Sequence, residues 1–251
     1  IYRNQDPASV PYETDPESLT DLMYPLSSAD ITEPFIFRDT RGVSVYAYPV
    51  RYNAAKRIVR IYKKLSVKLA QDILSSTNPL NIRSEKIDPA MNNMYSSLYI
   101  NYNEQKFAHQ LSELGDILVI STSRDTEAIR PYIEWKRQKG FDVKSITVDT
   151  GTNVKAVILQ EYQLNPDILY VQLVGDWADI RSDLGPDSSP TDPMLGCVSG
   201  TDLYPELIIG RFSAESAADV TTQVDKTISY EKAPEISGTW YKSGLGIGSP
   251  E

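Results

Sequence analysis

The sequence predicts an α/β fold, a mostly parallel sheet flanked by helices, preceded by a β-rich unit. Three observations carry this. The apolar run Leu169–Val174 stops at Gly175-Asp176, and a second run, Leu207–Ile209, stops at Gly210-Arg211. Short apolar runs bounded by turn signals describe strands buried on both faces, as in sheets covered by helices. From Asp116 onward such runs alternate with helix-period segments through short connections, the pattern of parallel strands joined by right-handed crossovers. Before residue 75 the period is two instead, with one wet face.

By texture the chain divides into a β-rich segment over 1–75, a linker over 76–115 and an α/β portion over 116–251. In the first segment, Pro7, Pro11, Pro16, Pro25 and Pro34 rule out long helices and leave extended pieces with short turns. Val43, Val45 and Ala47 then alternate with Ser44 and Tyr46. A turn at Tyr52–Lys56 leads into Ile58–Tyr62 and on to Leu65–Leu69, read as antiparallel strands. Residues 76–112 sustain neither period. Met91-Asn92-Asn93-Met94-Tyr95 reads as linker, with a short helix over Gln105–Leu114 that carries His109.

In the α/β portion the first strand is Ile117–Ile120. Thr126 is placed to N-cap a helix burying Ile129, Tyr132, Ile133 and Trp135, which ends at Gly140. Phe141–Ile146 forms the next strand. Thr152 or Asn153 opens a helix through Val154, Val157, Ile158 and Tyr162, closed by Asn165-Pro166. The strand Ile168–Val174 follows, then an acidic loop, the Leu207–Ile209 strand and a helix over Ala217–Tyr230. Trp240 leads to a last strand over Ser243–Gly248.

Bulk properties narrow the function. At 251 residues, with 41% hydrophobic and 24% charged residues, the chain is globular. A net charge of −9 and the lack of a basic stripe argue against a nucleic-acid partner. No apolar stretch approaches the roughly 20 residues of a membrane span. One cysteine, Cys197, excludes an internal disulfide and a multi-Cys zinc site. Both ends read as cut, so the chain is expected to be a piece of a longer protein.

Several residues invite chemistry. An acid set directly after a buried strand, as Asp176 is, stands where open α/β sheets gather ligands, although such acids also cap turns. Asp176, Asp179, Asp183, Asp187, Asp192 and Asp202 crowd one loop system, and oxygen-rich loops suit calcium. Asp176 and Asp202 are the expected Ca2+ ligands, though no EF-hand spacing is present. Gly244-x-Gly246-x-Gly248 lies within a strand rather than between strand and helix, so it is not read as a phosphate loop. Nothing brings Cys197 and His109 within hydrogen-bond reach, so they are not read as a nucleophile and its base.

The order of DILVIS, IRPYIEWKRQKGFDV, LYVQLVGDWADI, DLYPELIIGRFSAES and VDKTISYEK resembles the first half of the gingipain-type catalytic domain, peptidase family C25. Trp135-Lys136 before Gly140, the step Leu173–Asp176, and Gly210-Arg211-Phe212-Ser213 carry it most specifically. RDTRGVSVYAYPVRYNAAKRIVRIYKKLSVKL resembles the end of a gingipain-type propeptide. The likeness covers about residues 35–75 and 116–251. It implies a caspase-haemoglobinase-like fold and a cysteine endopeptidase, secreted or on a bacterial cell surface, often with calcium and an inhibitory pro-segment. Protein or peptide substrates and the remaining C-terminal half of the catalytic domain are the implied partners. It further implies that Glu251 is the acid supporting a His–Cys dyad lying downstream, that Cys197 and His109 are bystanders, and that this chain alone is inactive. The Gly175-Asp176 step then marks the family and supports a loop. Two alternatives stay open: a non-catalytic or secretion-associated member of the same family, and a calcium-stabilised α/β binding module.

Overall fold

The computed structural model describes residues 6–10, 16, 19–70, 77–82, 84, 86–102 and 113–246. In chain order the first strands are β1 (Met23–Tyr24), β2 (Ala29–Ile31), β3 (Phe35–Phe37), β4 (Thr40–Gly42), β5 (Val45–Ala47), β6 (Val50–Asn53) and β7 (Ile58–Ile61). Helix α1 (Pro89–Leu98) follows. Then come β8 (Asp116–Ser121), α2 (Thr126–Gln138), β9 (Val143–Thr147), α3 (Val154–Leu164) and β10 (Ile168–Val174). The short strands β11 (Asp183–Leu184) and β12 (Pro190–Thr191), then β13 (Ile208–Phe212) and α4 (Ala217–Lys232), complete the set.

The chain forms two compact units. The first is Ile1–Pro34 with Val43–Thr77; the second is Phe35–Gly42 with Asn78–Glu251. In the first unit β1, β6 and β7 form an antiparallel sheet, and β2 pairs with β5. The hairpin β6–β7 turns over residues 54–57, overlapping the expected Tyr52–Lys56 turn, but its first strand is 50–53 rather than the alternating 43–47 stretch; Val50 lies opposite Ile61 and Asn53 opposite Ile58. Leu65–Leu69, expected as a strand, is not one. Its alternation is real, but among the described residues no neighbouring strand completes a ladder, and Val67 and Leu69 stay exposed.

In the second unit a four-stranded sheet runs β13-β10-β8-β9, parallel throughout. Alternate residues of β8 feed opposite cores, which is why the strand reads as one continuous apolar run. Leu118 and Ile120 pack with Val154, Ile158 and Tyr162 of α3. Ile117 and Val119 pack with Ile129 and Ile133 of α2 and with Val220 and Val224 of α4. Helix α3 is capped by Asn153, whose side chain accepts from Ala156 N. Helix α4 is capped by a reciprocal Ser216–Asp219 box.

Other local expectations need correction. The N-cap of α2 is Asp125, and Thr126 is already helical, its hydroxyl donating to Thr122 O. Residues 91–95 are helix, not linker. Asp88 accepts from Ala90 N at 2.8 Å, Pro89 takes the first helical position, and Met91 and Tyr95 are buried. Residues 243–246 form no strand, and the rest of that expected strand lies outside the described residues. So does most of the expected 105–114 helix. Among the described residues no helix is long and apolar enough to cross a membrane.

Candidate functional site

The strand order puts β9 on one side of β8, and β10 with β13 on the other, so the connections diverge between β8 and β10. In an open parallel sheet the crevice beyond the carboxyl ends at that point is where ligands bind. Three short segments meet there: Thr122–Asp125 after β8, Gly175–Asp179 after β10, and Ser213–Glu215 after β13.

Gly175 makes the turn possible. Its φ is +129°, and a Cβ there would lie 3.2 Å from Asp179 Cβ. The turn is laid along β13 by Gly175 N donating to Phe212 O and Asp176 N donating to Ala214 O. Two arginines brace it. Arg124 binds the fully buried Asp125 through both carboxylate oxygens, at 3.0 and 2.9 Å, and reaches Asp179 at 2.8 Å and Ala214 O at 3.1 Å. Hydrogen bonding to Asp125 first, and then to Asp179, raises the pKa of this guanidinium. Arg211 grips Asp192 with two 2.8 Å bonds and donates to Gly175 O at 3.0 Å. The Arg211 contact holds the Asp192 carboxyl below its ordinary range against the opposing effect of burial.

Asp176 therefore sits on a rigid step. It accepts from Ser213 Oγ at 3.0 Å, and hydrogen bonds from Trp177 N and then Ser213 lower its pKa, so it is a carboxylate at neutral pH. It lines an open cleft of ≈ 440 Å³ with Ser213, Glu215, Asp219 and Gln223. Asp219 is committed to the α4 capping box. This acidic cleft can hold a basic or hydrogen-bond-donating group.

The other expected site residues lie elsewhere. Asp202 accepts from Ile36 N at 2.8 Å, Asn78 Nδ2 at 3.3 Å and Tyr204 N at 2.9 Å, so its carboxylate is a loop cross-link in a hydrogen-bond network separate from that of Asp176. Among the described residues no three His, Cys, Asp or Glu side chains gather as metal ligands. Asp176 and Asp202 are held by different partners, Ser213 Oγ for the first and Ile36 N, Asn78 Nδ2 and Tyr204 N for the second. Cys197 is half-buried and its thiol pKa is pushed up, chiefly by burial. That is the reverse of an activated nucleophile. Glu251 and His109 lie outside the described residues. The Arg124–Asp125–Asp179 network was not anticipated from the sequence. Its only local signal is the run Arg124-Asp125 directly after a buried strand.

The profile of peptidase family C25 matches residues 110–251, and that of the C25 propeptide matches residues 1–108. Gingipain R2 of Porphyromonas gingivalis (strain ATCC BAA-308 / W83) is 30% identical over 259 aligned residues, which take in 100% of this chain and 35% of that protein. Lys-gingipain W83 of the same species is 24% identical over 246 residues, 88% of this chain and 14% of that one. The chain thus spans about a third, or less, of the curated relatives it matches. The solved complex of Porphyromonas gingivalis RgpB pro- and mature domains shares 35% identity with it at a TM-score of 0.43, over 46% of this chain and 29% of that one. The crystal structure of the Arg-specific cysteine proteinase gingipain R shares 34% at a TM-score of 0.43, over 47% and 29%. With residues 1–108 and 110–251 matched by these two profiles, the chain belongs to peptidase family C25, the gingipain cysteine peptidases, and comprises a C25 propeptide followed by part of the catalytic domain.

Proposed function

We propose that the chain is the N-terminal portion of a secreted gingipain-like cysteine endopeptidase precursor, whose Cys–His dyad lies downstream of residue 251. One observation carries this reading. The peptidase profile falls on a parallel sheet with a braced carboxyl edge, while the chain's only cysteine has a raised thiol pKa. In the assembled enzyme a downstream thiolate attacks the peptide carbonyl, and a His takes and returns the proton. Glu251 orients that imidazole and stabilises its protonated form. The braced turn at Gly175-Asp176 supports the edge on which these groups converge.

The test compares this chain with the full precursor after activation. The chain alone is expected to hydrolyse no peptide and to resist a peptidyl thiol-reactive probe, whereas the activated precursor does both. Within the precursor, Glu251→Gln is expected to lower kcat/KM by about 10²-fold or more, and Cys197→Ser to leave it unchanged. Peptide hydrolysis by the isolated chain that Cys197→Ser abolishes would refute the downstream dyad. Calcium enters this reading only as a stabilising ion of the full precursor, and it requires that excess chelator lower the precursor's melting temperature.

A further inference from the structure

At the opposite, amino edge of the sheet lies a site of another kind. The hairpin β3–β4 carries Arg38 in its turn, with φ +49° and only 3% of the residue exposed. Its guanidinium meets four backbone carbonyls. Nη1 donates to Ile168 O at 2.8 Å and Glu206 O at 3.3 Å, and Nη2 donates to Pro166 O at 3.0 Å and Asp167 O at 3.4 Å. Nε faces the buried Asp39 carboxylate at 3.4 Å. Three of the acceptors come from the entry to β10 and the fourth from the approach to β13. Only a planar cation with several fixed donors can satisfy carbonyls converging from two chain segments.

Polar groups around the guanidinium are fixed by the backbone. Asp39 is itself held by Ser84 N at 2.9 Å. The Glu206 side chain is buried, with Oε2 accepting from Val198 N and Ser199 N at 2.8 and 2.9 Å. Glu206 Oε1 and Tyr162 Oη are buried nearby and have no hydrogen-bond partner among the described residues. Arg38 belongs to the stretch matched as propeptide and its four acceptors to the stretch matched as peptidase. Neighbouring contacts join the same two stretches. Ile36 N donates to Asp202, the Phe35 ring stacks on Tyr204 at 4.5 Å, and Ser84 Oγ donates to Asp167 at 2.6 Å.

We propose that the amino edge of this sheet is a guanidinium-binding site, formed by the carbonyls of Pro166, Asp167, Ile168 and Glu206, through which the peptidase segment recognises and retains the propeptide segment, with Arg38 as its ligand. The attachment point itself is at the amino edge, at the other end of the strands from Asp176. Its selectivity is chemical: a lysine ammonium, a single point of charge, cannot serve acceptors spread across the guanidinium plane.

The test uses the full chain with a specific protease site placed at His109, between the two profile matches. After cutting, the wild-type halves are expected to co-elute. Arg38→Gly, which suits the positive φ, and Arg38→Lys are both expected to weaken their association by about 100-fold or more. Retention as tight as wild type in either variant overturns the proposal. A second measurement covers failure to fold. Millimolar guanidinium, but not methylammonium at equal ionic strength, is expected to raise the melting temperature or folding yield of Arg38→Gly and to leave wild type unchanged. Equal rescue by both cations, or by neither, overturns it.

Discussion

At Gly175 the backbone decides. With φ at +129° and Asp179 Cβ 3.2 Å from where a Cβ would sit, an L-residue meets both conformational strain and a neighbour held in place by Arg124. Gly175→Ala is expected to cost about 1–3 kcal/mol, read as a lower urea midpoint; a loss under about 0.5 kcal/mol would show that the turn relaxes. Glu206 is governed by burial, which raises its carboxyl from an ordinary 4.5 to about 7 even though Val198 N and Ser199 N favour the ionised form. Between those two pH values the folded chain keeps a proton that the unfolded chain has released. Stability therefore falls as pH rises through this window, on the order of 2–3 kcal/mol from this group. Glu206→Gln can still accept from both amides and should remove that part of the slope, measured by urea unfolding at pH 4.5 and 7.5. Identical slopes in the two proteins would refute the assignment. Asp176 was legible in the sequence because a strand-ending acid is a local feature. Arg38 and Glu206 were not, since Arg38 meets its carbonyl partners 130 and 168 residues away and its burial follows wholly from that packing.

Between elements, α2 and α4 are tied at their carboxyl ends by one carboxylate. Glu231 accepts from Trp135 Nε1 at 2.9 Å, Lys136 Nζ at 2.6 Å and Lys139 Nζ at 2.8 Å, while Lys232 lies 4.7 Å over the Trp135 ring. Burial alone would raise the Glu231 pKa, but bonds from Lys136, Lys139 and Trp135 outweigh it and bring the carboxyl to about 2. Its contribution is thus present above about 4.5 and is lost as pH falls toward 2. Glu231→Gln is expected to cost about 1–2 kcal/mol at neutral pH and progressively less under acid conditions, followed by melting temperature against pH. A cost that does not shrink on acidification would mean that shape, not charge, makes the tie. The helices α2, α3 and α4 could be read from the sequence because each has a sustained apolar period. Helix α1 could not. Met91 and Tyr95 are its only buried residues, Asn92 and Asn93 give it a loop-like composition, and the Asp88-Pro89 start is its sole local sign. The Leu65–Leu69 misreading is the converse, since strand alternation carries no information about whether a partner strand exists.

Across the whole molecule, burial is distributed very unevenly. Every buried hydrophobic residue among the described ones belongs to the second unit, where β8 and β10 are enclosed by helices on both faces. In the first unit Asn53 is the only buried residue among those described, and Tyr24, Val50, Tyr52, Val59 and Ile61 are all exposed. Cross-strand pairing puts those five on one face of the β1-β6-β7 sheet, with Val50 opposite Ile61, and Tyr52 opposite both Val59 and Tyr24. Apolar burial is the main favourable term in folding, so backbone hydrogen bonds in a unit that lacks it open at low cost. Amides of β6 and β7 are therefore expected to exchange by local opening, at least about 10²-fold faster than those of β8 and β10, which should exchange only on global unfolding. Hydrogen exchange read by mass spectrometry at increasing urea checks this. The β6–β7 peptides should deuterate at urea concentrations where β8 and β10 remain protected. If all four strands lose protection together, at one urea concentration and with one slope, the two units share a single cooperative transition and burial within each does not set its stability.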